Sequence, residues 1–139
     1  IELPYTVKGN DVAYSGLLTA ALKKMREHNL EDLCFSLQEV AFSMLTEAVE
    51  RSLAHTEKKE VLLTGGVAAN KRLQDALEVI TAEHEAKFYV VDPRYSGDCG
   101  AQIAWAGLLA FNCGLNVKVE ETIVRPKWRL DEVEIPWRS

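Results

Sequence analysis

No apolar stretch in the sequence approaches the roughly 20 residues that a helix needs to cross a bilayer. The opening residues, IELPYTVKGND, carry no basic-then-apolar signal pattern. Cysteine is scarce. Cys34, Cys99 and Cys113 are far apart and odd in number, which excludes a disulfide framework or a thiolate metal cage and makes a reducing, cytoplasmic setting the simplest one. Positive charge is in deficit, with 16 Lys and Arg against 21 Asp and Glu. Bulk charge therefore does not hold nucleic acid here, although a local basic patch or a partner can. The three histidines, His28, His55 and His84, sit at or near predicted helix ends without metal-type spacing. HExxH, a Ser-His-Asp pattern and a Walker loop are all missing. So are internal repeats, low-complexity linkers and an initiator methionine. This last absence suggests a processed or truncated piece of something longer.

What is there is ordinary globular material, 47% hydrophobic and 27% charged over 139 residues, enough for one domain or one lobe of a larger one. Residues 1–15 read as irregular or edge-strand structure around a Gly-Asn-Asp turn. Ser15 is the expected N-cap of a helix over LLTAALKKMREHN. Between Glu31 and His55 the apolar residues Leu33, Leu37, Val40, Ala41, Met44, Leu45, Ala48, Val49 and Leu53 form one helical stripe. VLLT then reads as a buried strand, and a helix is predicted from about Ala68 to Glu83 with Leu73, Leu77, Ile80 and Thr81 facing inward. AKFYVVDP is a second strand, stopped by its proline. Ser96-Gly97-Asp98 is expected to cap a last helix, GAQIAWAGLLAFN, closed by Gly114. A charged tail over 115–139 has Trp128 and Trp137 as candidate anchors. The order αα-βα-βα predicts an α/β fold with a parallel sheet and right-handed crossovers. Two strands make a poor sheet, so further strands are expected upstream.

Ligands of α/β sheets bind beyond the carboxyl ends of the strands. Two loops leave such ends, TGGVAAN and DPRYSGDCGA. Gly65 and Gly66 would let a ligand approach the backbone closely, and the next helix would offer N–H donors. Asn70, about one turn into that helix, can donate and accept, which suits a ribose, an adenine edge or an acyl group. The same residues also fit a plain strand-to-helix turn with a surface asparagine. Asp98 reads either as a helix cap or, beside a nucleotide, as one ligand of a metal whose others come from elsewhere. Cys99 is a small buried residue or a reactive thiol at a helix start. Arg125-Pro-Lys-Trp-Arg129 interleaves cations with an aromatic, as an RNA or protein contact does, or as a solvated tail does.

Five segments in order, IELPYTVKGNDVAYSGLLTAALKK, FSLQEVAFSMLTEAVERSLAHTEKKE, LLTGGVAANKRL, GDCGAQIAWAGLLAF and EETIVRPKWRLDEVEIPW, resemble one family across essentially the whole chain. It is the tRNA N6-adenosine threonylcarbamoyltransferase family, the catalytic subunit of the KEOPS complex, formerly called O-sialoglycoprotein endopeptidases, here in an archaeal flavour. The resemblance implies the C-terminal lobe of a two-lobed fold of the actin, hexokinase and 70-kDa chaperone ATPase superfamily, with residues 1–139 as that lobe. It implies transfer of threonylcarbamoyl from threonylcarbamoyl-AMP to N6 of the adenosine 3′ of the anticodon in tRNA. Gly65 and Gly66 would line the nucleotide, ATP or threonylcarbamoyl-AMP, and Asn70 would contact it. Asp98 would be the one metal ligand from this half, for iron or zinc. The family's HxxxH metal motif belongs to the other, N-terminal half, so this chain alone is expected to be inactive. The family's DNGAM reads DCGAQ here, with Cys99 and Gln102 in place of Asn and Met. Implied partners are tRNA, the N-terminal half, a small atypical protein kinase that in some archaea is fused behind this domain, and the other KEOPS subunits. The rival readings are a small-molecule kinase of the same superfamily and a non-catalytic nucleotide-binding scaffold.

Overall fold

The apolar stripe between Leu33 and Leu53 forms one 27-residue helix, and the rest of the chain's first unit is arranged around it. The computed structural model describes residues 1–138, in the order β1 (Val7–Lys8), β2 (Asp11–Val12), α1 (Tyr14–Lys24), α2 (Leu30–Thr56), β3 (Glu60–Leu63), α3 (Lys71–Glu83), β4 (Lys87–Val90), α4 (Pro93–Ser96) and α5 (Gly100–Asn112), with short 3₁₀ turns between and after them. The chain divides into two units, Ile1–Gly97 and the residues from Asp98 on. Among the described residues no helix is long and apolar enough to cross a membrane.

In the first unit α2 begins where Asn29 accepts a hydrogen bond from the Glu31 N–H, with Glu31 and Asp32 in the positive first turn. It ends at Glu57, which turns left-handed at φ 54°. Its stripe serves two apolar clusters. Leu33 and Met44 join Leu3, Leu17 and Ala21, with Leu37, Val40 and Ala41 packed alongside. Phe42, Leu45 and Val49 instead cover Leu73, Leu77 and Ile80 of α3, where Leu63 and Phe88 arrive from the two strands. Burying each such large side chain contributes about 1.5–3 kcal/mol.

Helix α1 differs from the sequence expectation at both ends. Ser15 lies inside the first turn, where its carbonyl accepts from the Thr19 hydroxyl, and the cap position falls on Ala13 without a side-chain bond. The helix stops at Lys24 rather than running to Asn29, because Asn29 is needed in extended conformation as the cap of α2. The N–H groups of Glu27 and His28 close the intervening turn on the Lys24 carbonyl. Before α1, the expected edge-strand segment is a small antiparallel hairpin, Val7 opposite Val12, turning through Gly9 at φ 61°.

Tyr5 donates its hydroxyl to Glu47 of α2 at 2.5 Å. Burial pushes the Tyr5 phenol up to about 12, and the hydrogen bond to Glu47 adds to the rise. A raised folded-state value means that its contribution to stability is intact below the ordinary tyrosine value and is lost as pH rises through about 12. Spectrophotometric titration is expected to show one tyrosine ionising near pH 12, and Tyr5→Phe to remove that step. A titration of the variant that keeps the late step would assign it elsewhere.

Strands β3 and β4 pair in parallel, from Glu60 opposite Lys87 to Leu63 opposite Val90, with α3 as the crossover. The predicted strands, their parallel pairing and the inward face of α3 (Leu73, Leu77, Ile80, Thr81) are present, but β3 is not the buried strand expected, since its residues alternate between exposed and half-buried. Among the described residues this sheet has two strands, and Leu62 and Tyr89 on it are exposed.

In the second unit α5 ends in a left-handed Gly114 at φ 79°, as expected. The Gly114 N–H reaches Phe111 and the Leu115 N–H reaches Ala110, the paired bonds of a Schellman ending. Of the two tail tryptophans Trp137 is half-buried. Trp128 is exposed and stacks under Arg125 instead, with the guanidinium carbon 5.1 Å from the ring centre.

Candidate functional site

The parallel pairing brings the two candidate loops to the same, carboxyl end of the strands. The ladder continues one step past β4, where the Val91 N–H donates to the Leu63 carbonyl at 3.0 Å. Beyond that, Gly65 turns at φ 105° and ψ 170°, a region that only glycine occupies without strain. Gly66 opens a 3₁₀ turn, Gly66–Ala69, in which Ala68 is buried. A cavity of about 140 Å³ lies here, lined by Gly65, Gly66, Val90, Pro93, Ser96 and Gly97. Ligand pockets usually enclose about 300–1,000 Å³, so this one is a wall and floor rather than a full enclosure. A more open depression of about 420 Å³, lined by Lys58, Lys59, Glu60 and Lys87, sits at the amino ends of the strands. That is the wrong end of a parallel sheet for a ligand site, and we assign no role to it.

Asn70 is placed differently from the expectation. It is the N-cap of α3, in extended conformation, rather than one turn inside the helix. Its Oδ1 accepts from the Arg72 N–H at 3.0 Å and its Nδ2 donates to Gln38 Oε1 of α2 at 3.1 Å. One N–H of the amide and one oxygen lone pair are left for a ligand. The expected helix N–H donors are likewise moved, since the 3₁₀ turn separates the glycines from the first turn of α3. The start of α3 is tied down by the Arg72 guanidinium, which donates twice to Glu39 at 2.7 Å. Those bonds hold the Glu39 carboxyl below its usual range.

Asp98 does not cap α5. The cap position falls on Cys99, whose side chain makes no capping bond, and Asp98 is exposed one residue earlier. Cys99 is half-buried and free. Among the described residues no three His, Cys, Asp or Glu side chains converge as a metal site requires. Asp98 offers a single carboxylate. The structure thus gathers Gly65, Gly66 and Asn70 in the first unit and leaves Asp98 in the second. Of the cations in the tail motif, Arg129 is held by Asp131 and Arg125 by the Trp128 ring.

Sequence reasoning missed α4 and, with it, Ser96 as a site residue. The signal was present. Asp92 followed by Pro93 is an N-cap and first-position pair, and the Asp92 carboxylate accepts from the Arg94 N–H at 2.9 Å. The proline therefore opens a helical turn as well as ending a strand. Nothing in the local sequence of Gln38 announces its bond to Asn70, since that pairing depends on α2 lying beside the loop.

A family model described as tRNA N6-adenosine threonylcarbamoyltransferase matches residues 1–105, a span that holds both loops. Over all 139 residues the chain is 52% identical to a protein of that name from Metallosphaera sedula. It is 50% identical over 137 residues to another of that name from Methanothrix thermoacetophila. A third relative, from Methanothermobacter thermautotrophicus, is 54% identical over 138 residues and is named a probable bifunctional tRNA threonylcarbamoyladenosine biosynthesis protein. The chain spans 42% of the length of the first two and 26% of the third.

Proposed function

The chain belongs to the tRNA N6-adenosine threonylcarbamoyltransferase family, and from that premise we propose that it is part of an enzyme that moves threonylcarbamoyl from threonylcarbamoyl-AMP to N6 of the adenosine 3′ of the anticodon in tRNA. The observation that carries this reading is the family match over residues 1–105, which takes in the glycine loop and Asp98 together. We assign the chain to the C-terminal lobe of an actin- and hexokinase-like fold, in a cytoplasmic enzyme.

The reaction asks for positioning more than for acid–base power. The exocyclic amine of adenosine is a weak nucleophile that attacks a carbonyl already activated by AMP. A carbon–nitrogen bond forms, the carbon–oxygen bond to AMP breaks, AMP leaves with the electron pair, and the amine gives up a proton. Gly65 and Gly66 hold the adenylate by letting it lie against bare backbone, and the free N–H of Asn70 fixes its orientation. Val90 and Pro93, which line the same cavity, give that side an apolar wall. Asp98 contributes one carboxylate to an iron or zinc ion whose remaining ligands lie outside this chain. That ion, when bound, supplies charge neutralisation at the carbonyl or phosphate. With a formal net charge of −5, the chain leaves much of the tRNA contact to partners, namely the kinase and other subunits of a KEOPS-type complex. The bifunctional name of one relative favours a second activity joined to this one in some proteins.

Asp98→Ala in the full-length protein tests the reading. Metal content and threonylcarbamoyladenosine formation on tRNA, read by mass spectrometry of digested tRNA, are each expected to fall at least about tenfold. Unchanged metal together with unchanged modification sinks the assignment of Asp98.

A further inference from the structure

Gly65 and Ser96 lie on different loops, yet one hydroxyl serves both backbone groups of the glycine. The Gly65 N–H donates to Ser96 Oγ at 2.9 Å, and Ser96 Oγ donates its own proton to the Gly65 carbonyl at 2.9 Å. A serine hydroxyl has one proton and two lone pairs, so both bonds can exist at once. The main-chain ladder has already ended at Val91 and Leu63, so Ser96 acts as one further rung made from a side chain. Such a rung is needed here. Glycine has the widest conformational freedom of any residue, and although the Gly65 carbonyl also closes the 3₁₀ turn by accepting from the Ala68 N–H at 3.0 Å, at φ 105° its N–H is held by Ser96. Its two chain neighbours aside, nothing lies within 4 Å of the position a Cβ would take, so no contact on that side holds it.

We propose that Ser96 is a positioning residue of the adenylate site, holding the Gly65 peptide in its ligand-ready conformation before any ligand arrives. Ser96 itself is half-buried at the end of α4, and α4 is placed by Asp92 and Pro93 at the exit of β4. The two strand-end loops are therefore joined through one side chain, and the shape of the cavity between them depends on it. The functional half of this inference rests on the nucleotide reading above, while the clamp itself does not.

The test measures the two halves separately in the full chain, with ATP as the binding probe. In Ser96→Ala without ligand, hydrogen exchange at the Gly65 amide is expected to speed up about tenfold, the loss of one net hydrogen bond. ATP is expected to bind about five- to tenfold more weakly, since the loop must now be ordered on binding. The thermal midpoint should fall by only the few degrees that one net hydrogen bond corresponds to, whereas a general packing role would lower it further. Ser96→Thr keeps the hydroxyl and should restore both readings to within about twofold of the unaltered protein. Ser96→Cys, similar in shape and a weak hydrogen-bonder, gives the same comparison if the alanine variant does not fold. Unchanged Gly65 exchange in Ser96→Ala overturns the clamp. Faster exchange with unchanged ATP affinity overturns the positioning role. Absence of ATP binding by the unaltered protein overturns the nucleotide reading and the positioning role with it, while exchange still decides the clamp.

Discussion

Leu77→Ala is expected to destabilise the protein by about 2–5 kcal/mol, the range for emptying a large apolar site in a packed core. Leu77 is 1% exposed. It sits in the cluster where α3, α2 and both strands of the parallel pair converge, against a surround that includes Phe42, Leu45, Val49, Leu63 and Phe88. Neighbours drawn from four elements cannot all close on the void, so the cost falls toward the upper part of that range. Domains are typically stable by only about 5–15 kcal/mol, and a loss of this size consumes a large share of the margin. Urea unfolding gives the measurement, with Val79→Ala on the exposed side of the same helix as the control, at 58% exposure. The control should shift stability by less than about 0.5 kcal/mol. A Leu77→Ala loss under about 1 kcal/mol would show that this cluster does not hold the strands together.

Gly65→Ala and Gly66→Ala are expected to part company, although the two glycines are neighbours. At φ 105° an alanine in position 65 is forced out of its allowed regions, at about 1–3 kcal/mol, and the loop relieves that strain by turning away from Ser96. ATP binding should then weaken about 10- to 100-fold, because the ligand must rebuild the glycine conformation against the strain. Gly66 has no left-handed φ, and a Cβ there would meet nothing within 4 Å. Gly66→Ala should therefore leave folding stability within about 0.5 kcal/mol of the parent. Any loss of ATP affinity it does cause reports the ligand's closeness to the backbone at that point. Calorimetric titration with ATP and thermal unfolding of both variants check the contrast. Equal losses of stability would remove the special standing given to Gly65.

The parts of the fold readable from sequence were those set by periodicity. The stripe of α2 and the inward face of α3 each repeat a spacing that burial imposes and appear where expected, and the two short apolar runs form the paired strands, although β3 is not buried. The parts not readable were decided by competition for a single residue. Asn29 could end one helix or begin the next, and capping α2 won. Asn70 could sit inside α3 or at its mouth, and its side-chain bond to the Arg72 N–H placed it at the mouth. Asp98 lost the cap position to Cys99, so its carboxylate is spent on no backbone amide of α5. At the candidate site the glycine pair was legible as a turn but not as unequal partners. That difference lies in backbone angles, which a pair of identical letters does not encode. The bond of Ser96 to Gly65 was not legible for the same reason as that of Gln38 to Asn70, since both act across a gap in sequence that only the packed strands and helices close.

The uniform register of the parallel pair has a consequence for how this chain can vary in length. From Glu60–Lys87 to Leu63–Val90 the offset between partners is constant, and every segment of the crossover that sets it is fastened. Ser96 holds its start at Gly65, Asn70 holds the entry to α3, and at its exit the Ala86 N–H is bonded to the Thr81 carbonyl at 2.8 Å. One inserted residue would have to shift the pairing of β4 by a step, turning Phe88 out of the core and Tyr89 into it. Substitutions can accumulate along the crossover more readily than insertions and deletions, which put the register at risk. The turn between α1 and α2, whose exposed residues 25–29 separate two independently ended helices, is where the chain can grow or shrink.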